Sequence, residues 1–292
     1  VTRFPRVAIA ALVLLAPLPA ATAAAEDAAA SAEAAVPRSW LPTDLGNRWS
    51  YVYSLERQRV TEGGEAATET FRGTRVDQVT AAADDVAPGA VEIRTTVHGR
   101  SESAVNDLAE NRRVVVSSRG AGFRIHLREA PHPLTGETQV FRFDPPFEGM
   151  RPDVGRAEPW DSGVEQSGGL RTEYRTEVLG VQDAKTPAGL YEKCLVLRTQ
   201  GVMSGSVEVN GETVDVDQGR VVVTEWFAAG VGRVLAKTEV EQKLRMEDGT
   251  GLELTEKSQY ALGAVELAGD ARPAAPPAAP AETSPPPVAP SP

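Results

Sequence analysis

The chain has 292 residues, 41 acidic against 30 basic, for a net charge of -11, and a single cysteine. That length suits one large domain or two small ones. The acidic balance works against nucleic acid or an anionic membrane surface as partner, since both need a positive footprint, and one cysteine excludes an internal disulfide framework.

The N-terminal "VTRFPRVAIAALVLLAPLPAATAAAED" places Arg3 and Arg6 ahead of an apolar run from Val7 to Leu18, then small residues before Glu26. This is the layout of a secretory signal peptide, assigned to residues 1–25. The apolar run falls short of the ~20 residues that a membrane span needs. Pro17 and Pro19 argue against extending it, no cysteine lies near the cleavage site, and no second apolar segment follows. The expectation is a soluble protein, periplasmic or secreted, with no stable membrane span. Residues 26–38 form a low-complexity lead-in, and residues 39–262 are assigned to one β-rich domain.

Organised sequence begins at "WLPTDLGNRWSYVYSLERQ", where Trp49, Tyr51, Tyr53 and Leu55 alternate with Ser50, Ser54 and Glu56. That period of two is the signature of a strand with one apolar face. "TETFRGTRVDQVT" and "GAVEIRTTVHG" continue it, and "RRVVVSSRGAGFRIHL" gives two strands about a glycine turn. "TQVFRFDPPF" is expected to stop at its double proline, which removes ladder donors.

In the second half, "TPAGLYEKCLVLRTQG" reads as a turn and a strand covered on both faces, with Cys194 and Val196 facing one way and Leu195 and Leu197 the other. Asn210-Gly211 within "SVEVNGETVDV" is a type I′ hairpin signal, because both central positions need positive φ. "LAKTEVEQKLRMEDGTGLELTEKSQYAL" reads as two strands around Asp248-Gly249. A helix over 236–247 competes there, but the shared parity of Val234, Thr238, Val240, Leu244 and Met246 favours strand. Residues 263–292 hold a Pro/Ala-rich stretch too poor in apolar area to pack, expected to be a disordered tail. The fold class is therefore all-β, a large curved antiparallel sheet forming a half-barrel or sandwich. "LPTDLGNRW" and "RPDVGRAEPW" each lead into a mostly β segment, which leaves open two related halves.

Signals for catalysis are sparse. Three histidines, His98, His126 and His132, lie in no zinc-binding arrangement, and no cysteine pair exists. The expectation is no metal site and no cofactor. Asp84, Asp85, Asp215, Asp217 and Glu225 are the carboxylates that a hydrolase could pair. Cys194 sits in an apolar strand and reads as a small buried hydrophobe. Trp40, Trp49, Trp160 and Trp226 stand near turns and read as anchors of the fold. A concave sheet lined by such residues is a natural surface for an apolar ligand. In "TEWFAAGVGRVLAK" both flanks read as strand, so Gly230 and Gly232 mark a sheet corner rather than a phosphate loop.

Three stretches together carry a resemblance: Pro42, Gly46 and Trp49; Pro187, Ala188, Gly189 and Cys194; and Trp226, Phe227, Ala228, Gly230, Val231 and Gly232. They resemble a loose group of exported bacterial β-rich domains of unknown function, similar to the lipoprotein-carrier type of fold. The resemblance implies a curved antiparallel sheet in an exported protein and no specific activity. The chain departs from the group in lacking a lipid-anchoring cysteine and in having Phe227 where tyrosine is usual. The expected function is non-enzymatic: a soluble protein of the cell envelope that binds a lipid or other apolar molecule. The alternatives are a structural or protein-interaction module and, third, a carboxylate-based hydrolase. Trp49, Tyr51, Trp160, Cys194, Trp226, Phe227, Gly230 and Gly232 are the residues expected to mark the fold or line a pocket.

Overall fold

The structure is a computed structural model that describes residues 39–62, 64, 66–101, 107–131, 138–155, 158–167, 169–209 and 212–268. The expected signal peptide and lead-in, residues 269–292 of the tail expected from residue 263, the Asn210-Gly211 turn and His132 lie outside the described residues.

The described residues form twelve strands: β1 (Arg48–Thr61), β2 (Ala66–Ala82), β3 (Ala90–Ser101), β4 (Leu108–Arg119), β5 (Gly122–Pro131), β6 (Thr138–Met150), β7 (Trp160–Ser167), β8 (Leu170–Thr186), β9 (Gly189–Val209), β10 (Glu212–Ala228), β11 (Gly232–Met246) and β12 (Gly251–Glu266). Alternation sets their faces. In β1, Trp49, Tyr51, Tyr53 and Leu55 are buried while Val52, Ser54 and Glu56 are exposed. The region that could have been a helix is strand, with Leu244 paired to Leu252 around the Asp248-Gly249 turn. Asp248 caps that turn by accepting from the Thr250 amide at 2.8 Å.

All neighbours are antiparallel, in the order β6-β5-β4-β3-β2-β1-β12-β11-β10-β9-β8-β7. Two six-stranded meanders, β1–β6 and β7–β12, are thus joined where β1 meets β12, from Arg48 opposite Glu266 to Thr61 opposite Leu252. The sheet curls until it nearly closes into a barrel, bringing β6 beside β7. Each meander opens on a buried tryptophan whose indole N–H is donated to a backbone carbonyl: Trp49 to Val231 at 2.6 Å and Trp160 to Glu148 at 3.0 Å.

One sequence expectation is corrected. The strand in "TQVFRFDPPF" does not stop at its prolines, since β6 runs on to Met150. Its pairing with β5 jumps from Leu127 opposite Arg142 to Ile125 opposite Phe147. Pro145 and Pro146 fall in that irregularity, on a strand with only one ladder neighbour, where a missing donor costs little.

Apolar residues close one end of the barrel. Leu41, Phe123, Met150, Val154, Trp160, Leu197 and Phe227 form one cluster there. Trp49, Cys194, Val234 and Leu262 belong to a second. The β8–β9 hairpin reaches across to β12, where the Ala188 amide donates to Leu262 O at 2.9 Å. The glycine corner clamps the Trp49 ring. Gly230 donates to Ser39 O at 3.0 Å, Val231 accepts the indole proton, and Gly232 sits at φ +104. A Cβ on Gly232 would lie 3.2 Å from Trp49 Nε1, so the corner needs glycine both for its conformation and for the close ring.

Candidate functional site

An eight-stranded barrel is just filled by its own side chains; twelve strands leave more interior to fill. Above the apolar floor, this chain fills it with charge. Inward residues of β2 run Phe71, Gly73, Arg75, Asp77, and the facing strands supply Thr95, Tyr51 and Tyr260. Arg75 donates to both oxygens of Asp77, at 2.8 Å and 3.0 Å, and Thr95 donates to Asp77 Oδ1 at 2.8 Å.

Arg233 joins this belt through a β-bulge. Trp226 pairs with Leu235 and Phe227 with Arg233, so Val234 is the extra residue. A bulge re-aims side chains next to it, and here it turns the Arg233 guanidinium inward. Arg233 Nη1 donates to Glu225 Oε1 and to Tyr260 Oη, both at 2.6 Å, and Nη2 lies 3.9 Å from Asp77. Arg75 and Arg233 both lie over the Tyr260 ring, at 4.2 Å and 5.4 Å from its centre.

Burial would raise the Asp77 carboxyl, but the Arg75 guanidinium, Arg233 and the Thr95 hydroxyl hold it below the ordinary carboxylate range. Burial pushes the Tyr51 and Tyr260 phenols up and Tyr53 to about 12, so all three stay neutral. Tyr51 is thereby a donor, to Arg233 O at 3.1 Å. The belt balances two guanidiniums against two carboxylates.

Toward the other end the interior divides. On one side stand two further ion pairs, Arg57 with Glu256 at 2.9 Å and Arg112 with Glu110. On the other, Met203, Val214, Val216 and Leu244 form an apolar wall with Met246 and Leu252 packed against it. Met246 and Leu252 also line a cavity of about 530 Å³ with Thr61 and the Asp248 turn. The apolar wall and the arginine–carboxylate pairs thus line the interior toward the same end.

The residues expected from sequence fall in several places. Trp49, Trp160 and Phe227 are in the floor, and Tyr51 is in the belt. Trp226 points outward, its ring centre 5.8 Å from Lys237 Nζ. Cys194 is fully buried, donates to Tyr191 O at 3.3 Å, and has its thiol pushed up by burial. His98 is exposed, and His126 pairs with Ser117 at 2.8 Å. Among the described residues no group of three or more His, Cys, Asp or Glu side chains could hold a metal.

Of the carboxylates considered for hydrolysis, Asp84, Asp85, Asp215 and Asp217 are exposed. Glu225 does face the interior beside Asp77. A glycosidase pair needs one carboxyl kept protonated as general acid. Asp77 is shifted the opposite way, and Glu225 is engaged by Arg233. The arrangement is one of internal ion pairing rather than of a carboxyl poised for proton transfer.

Sequence reading passed over Arg75, Asp77, Arg233 and Tyr260. The signal for the first two was their parity, shared with Phe71 and Val79. Arg233 could be found only through the bulge.

No protein-family model matches the chain, and no curated protein matches it. Among solved structures it is similar to a chain described as a lipoprotein from Parabacteroides distasonis, at 12% identity, 79% of this chain and 99% of that one covered, and a TM-score of 0.35. It is also similar to the S-type phycobiliprotein lyase of Guillardia theta, at 13% identity, 75% and 88% covered, and a TM-score of 0.27. At those scores neither likeness bears on function.

Proposed function

We propose that this chain is an exported, non-catalytic binding protein of the cell envelope that holds an amphiphilic small molecule in its barrel mouth. The molecule's apolar body would lie against Met203, Val214, Val216, Leu244 and Leu252, with its polar group toward Arg57, Arg112 and the belt. The observation that carries the reading is the amphiphilic interior toward that end, where an apolar wall with a cavity at its rim and arginine–carboxylate pairs line the same inner surface. Stability alone is a poor reason for such an interior, because buried ion pairs are often no better than apolar residues of the same size. Export rests on the signal-peptide pattern of residues 1–25.

The outer face argues that the barrel is bathed in water. Glu56, Lys257 and Glu239 lie in one row across β1, β12 and β11, outside the barrel. Charges on a lipid-facing barrel surface cost about 2–4 kcal/mol each at mid-membrane for Lys or Arg.

The test is titration with N-phenyl-1-naphthylamine, alongside native mass spectrometry of protein purified from its own host. Saturable fluorescence enhancement is expected, weakened roughly tenfold by Leu252→Glu, since burying a carboxylate in an apolar wall is unfavourable. A protein that carries no molecule and binds the dye without saturation would refute the proposal.

A further inference from the structure

Every neighbouring pair in the sheet is joined by a backbone ladder except the pair that would complete the barrel. Among the described residues, no backbone hydrogen bond is found between β6 and β7. Side chains hold the seam instead. Trp160 donates to Glu148 O at 3.0 Å at one end. Further along, Arg128 of β5 reaches past β6 to Glu165 of β7, and Tyr174 of β8 donates to Glu165 at 2.8 Å. Between them Phe147 packs edge-on against Tyr174, ring centres 5.4 Å apart. Gly163 lets β7 come close there, since a Cβ on it would lie 3.0 Å from the Phe147 ring.

The inner side of the seam is aromatic. Phe141 lies under the Arg128 guanidinium at 5.3 Å, and Phe143 packs on Phe147 at 5.5 Å. β6 is also poorly tied to its one ladder partner, as pairing lapses between Arg142 and Phe147. β7 is the shortest strand, eight residues. Arg128 Nε is buried without a partner, so the latch is electrostatically incomplete even when shut.

We propose that the β6–β7 seam is a lateral gate into the barrel, latched by Arg128, Glu165 and Tyr174. The proposal rests on the binding role above and names the route by which an elongated apolar molecule enters. Opening the seam breaks one ion pair, one side-chain hydrogen bond and an aromatic contact, and divides the floor cluster between Phe123 and Met150 on one side and Trp160 on the other; the Tyr174–Glu165 bond stays within β7–β8. Opening any other strand pair breaks a whole ladder. A side entrance lined by Phe141, Phe143 and Phe147 admits an apolar chain sideways, while its polar end travels along Arg128 and Glu165.

Nitroxide labels on the exposed Val140 and Val164, as V140C/V164C, report the seam directly, and the wholly buried Cys194 stays unlabelled. Two distance populations are expected, with the longer one enlarged severalfold by Glu165→Gln, which removes one fastening at constant side-chain volume, or by Trp160→Phe, which removes the indole donor and part of the ring. A single population that neither substitution changes overturns the gate. Stopped-flow uptake of N-phenyl-1-naphthylamine then tests the route. Faster association in Glu165→Gln, with little change in affinity, supports it. An open population whose dye enters no faster overturns the seam as portal and leaves the binding role intact. Dye that does not bind the parent protein overturns the binding role, while the label distances still decide whether the seam opens.

Discussion

At the scale of single residues, carboxylates held by arginine make the molecule sensitive to acid. Glu92 is opposed by burial but held by Arg94, Arg113 and Thr80, which bring it from 4.5 down to about 2. Asp77 is shifted the same way. A carboxyl depressed in the folded state adds stability that is complete above its unfolded value and lost as pH falls through the folded one. Urea midpoints should therefore hold from neutral pH down to about 4.5 and fall steeply toward 2. Glu92→Gln should lower the midpoint at pH 7 and flatten that acid limb. A variant with the parent's acid limb would show that Glu92 is not held as described.

At the scale of elements, the end of β10 separates two adjacent aromatics. Phe227 is fully buried in the floor, while Trp226 lies half-buried on the outer face. Phe227→Ala should cost about 3–5 kcal/mol, the usual loss for a large core aromatic. Trp226→Ala should cost about 1–2 kcal/mol, in proportion to its smaller buried area. Equal losses in chemical denaturation would contradict the placement.

The same strand shows what could be read from sequence. Alternation fixed the faces of β1, β3 and β11, and Asp248-Gly249 announced its turn, because both signals are local. The belt was not legible, because Arg75 and Asp77 look like breaks in an apolar face until their mutual pairing is seen. Arg233 needed a bulge to turn inward, and that depends on how β11 meets β10. The tryptophans read as anchors from sequence, yet the interior is lined by tyrosine, phenylalanine and arginine.

At the scale of the whole molecule, the two meanders are tied together by the first and last strands. Arg57 and Glu256, bonded across β1 and β12, are 199 residues apart in sequence, and Asn47 reaches Ala268 over an even longer stretch. Such a pairing can form only after nearly all the chain is made, and non-local pairings of this kind slow folding. The junction is thus a kinetic burden that the sheet order does not require. A circular permutant opened after Gly155, with residue 268 linked to residue 39, would keep every ladder and turn β12–β1 into a local hairpin. It should refold faster than the parent, with a similar circular dichroism spectrum. Slower refolding would mean that the β1–β12 junction is not the late step. The seam between β6 and β7 would then mark the two ends of the chain, and the natural order of synthesis would appear as one choice among several for the same sheet.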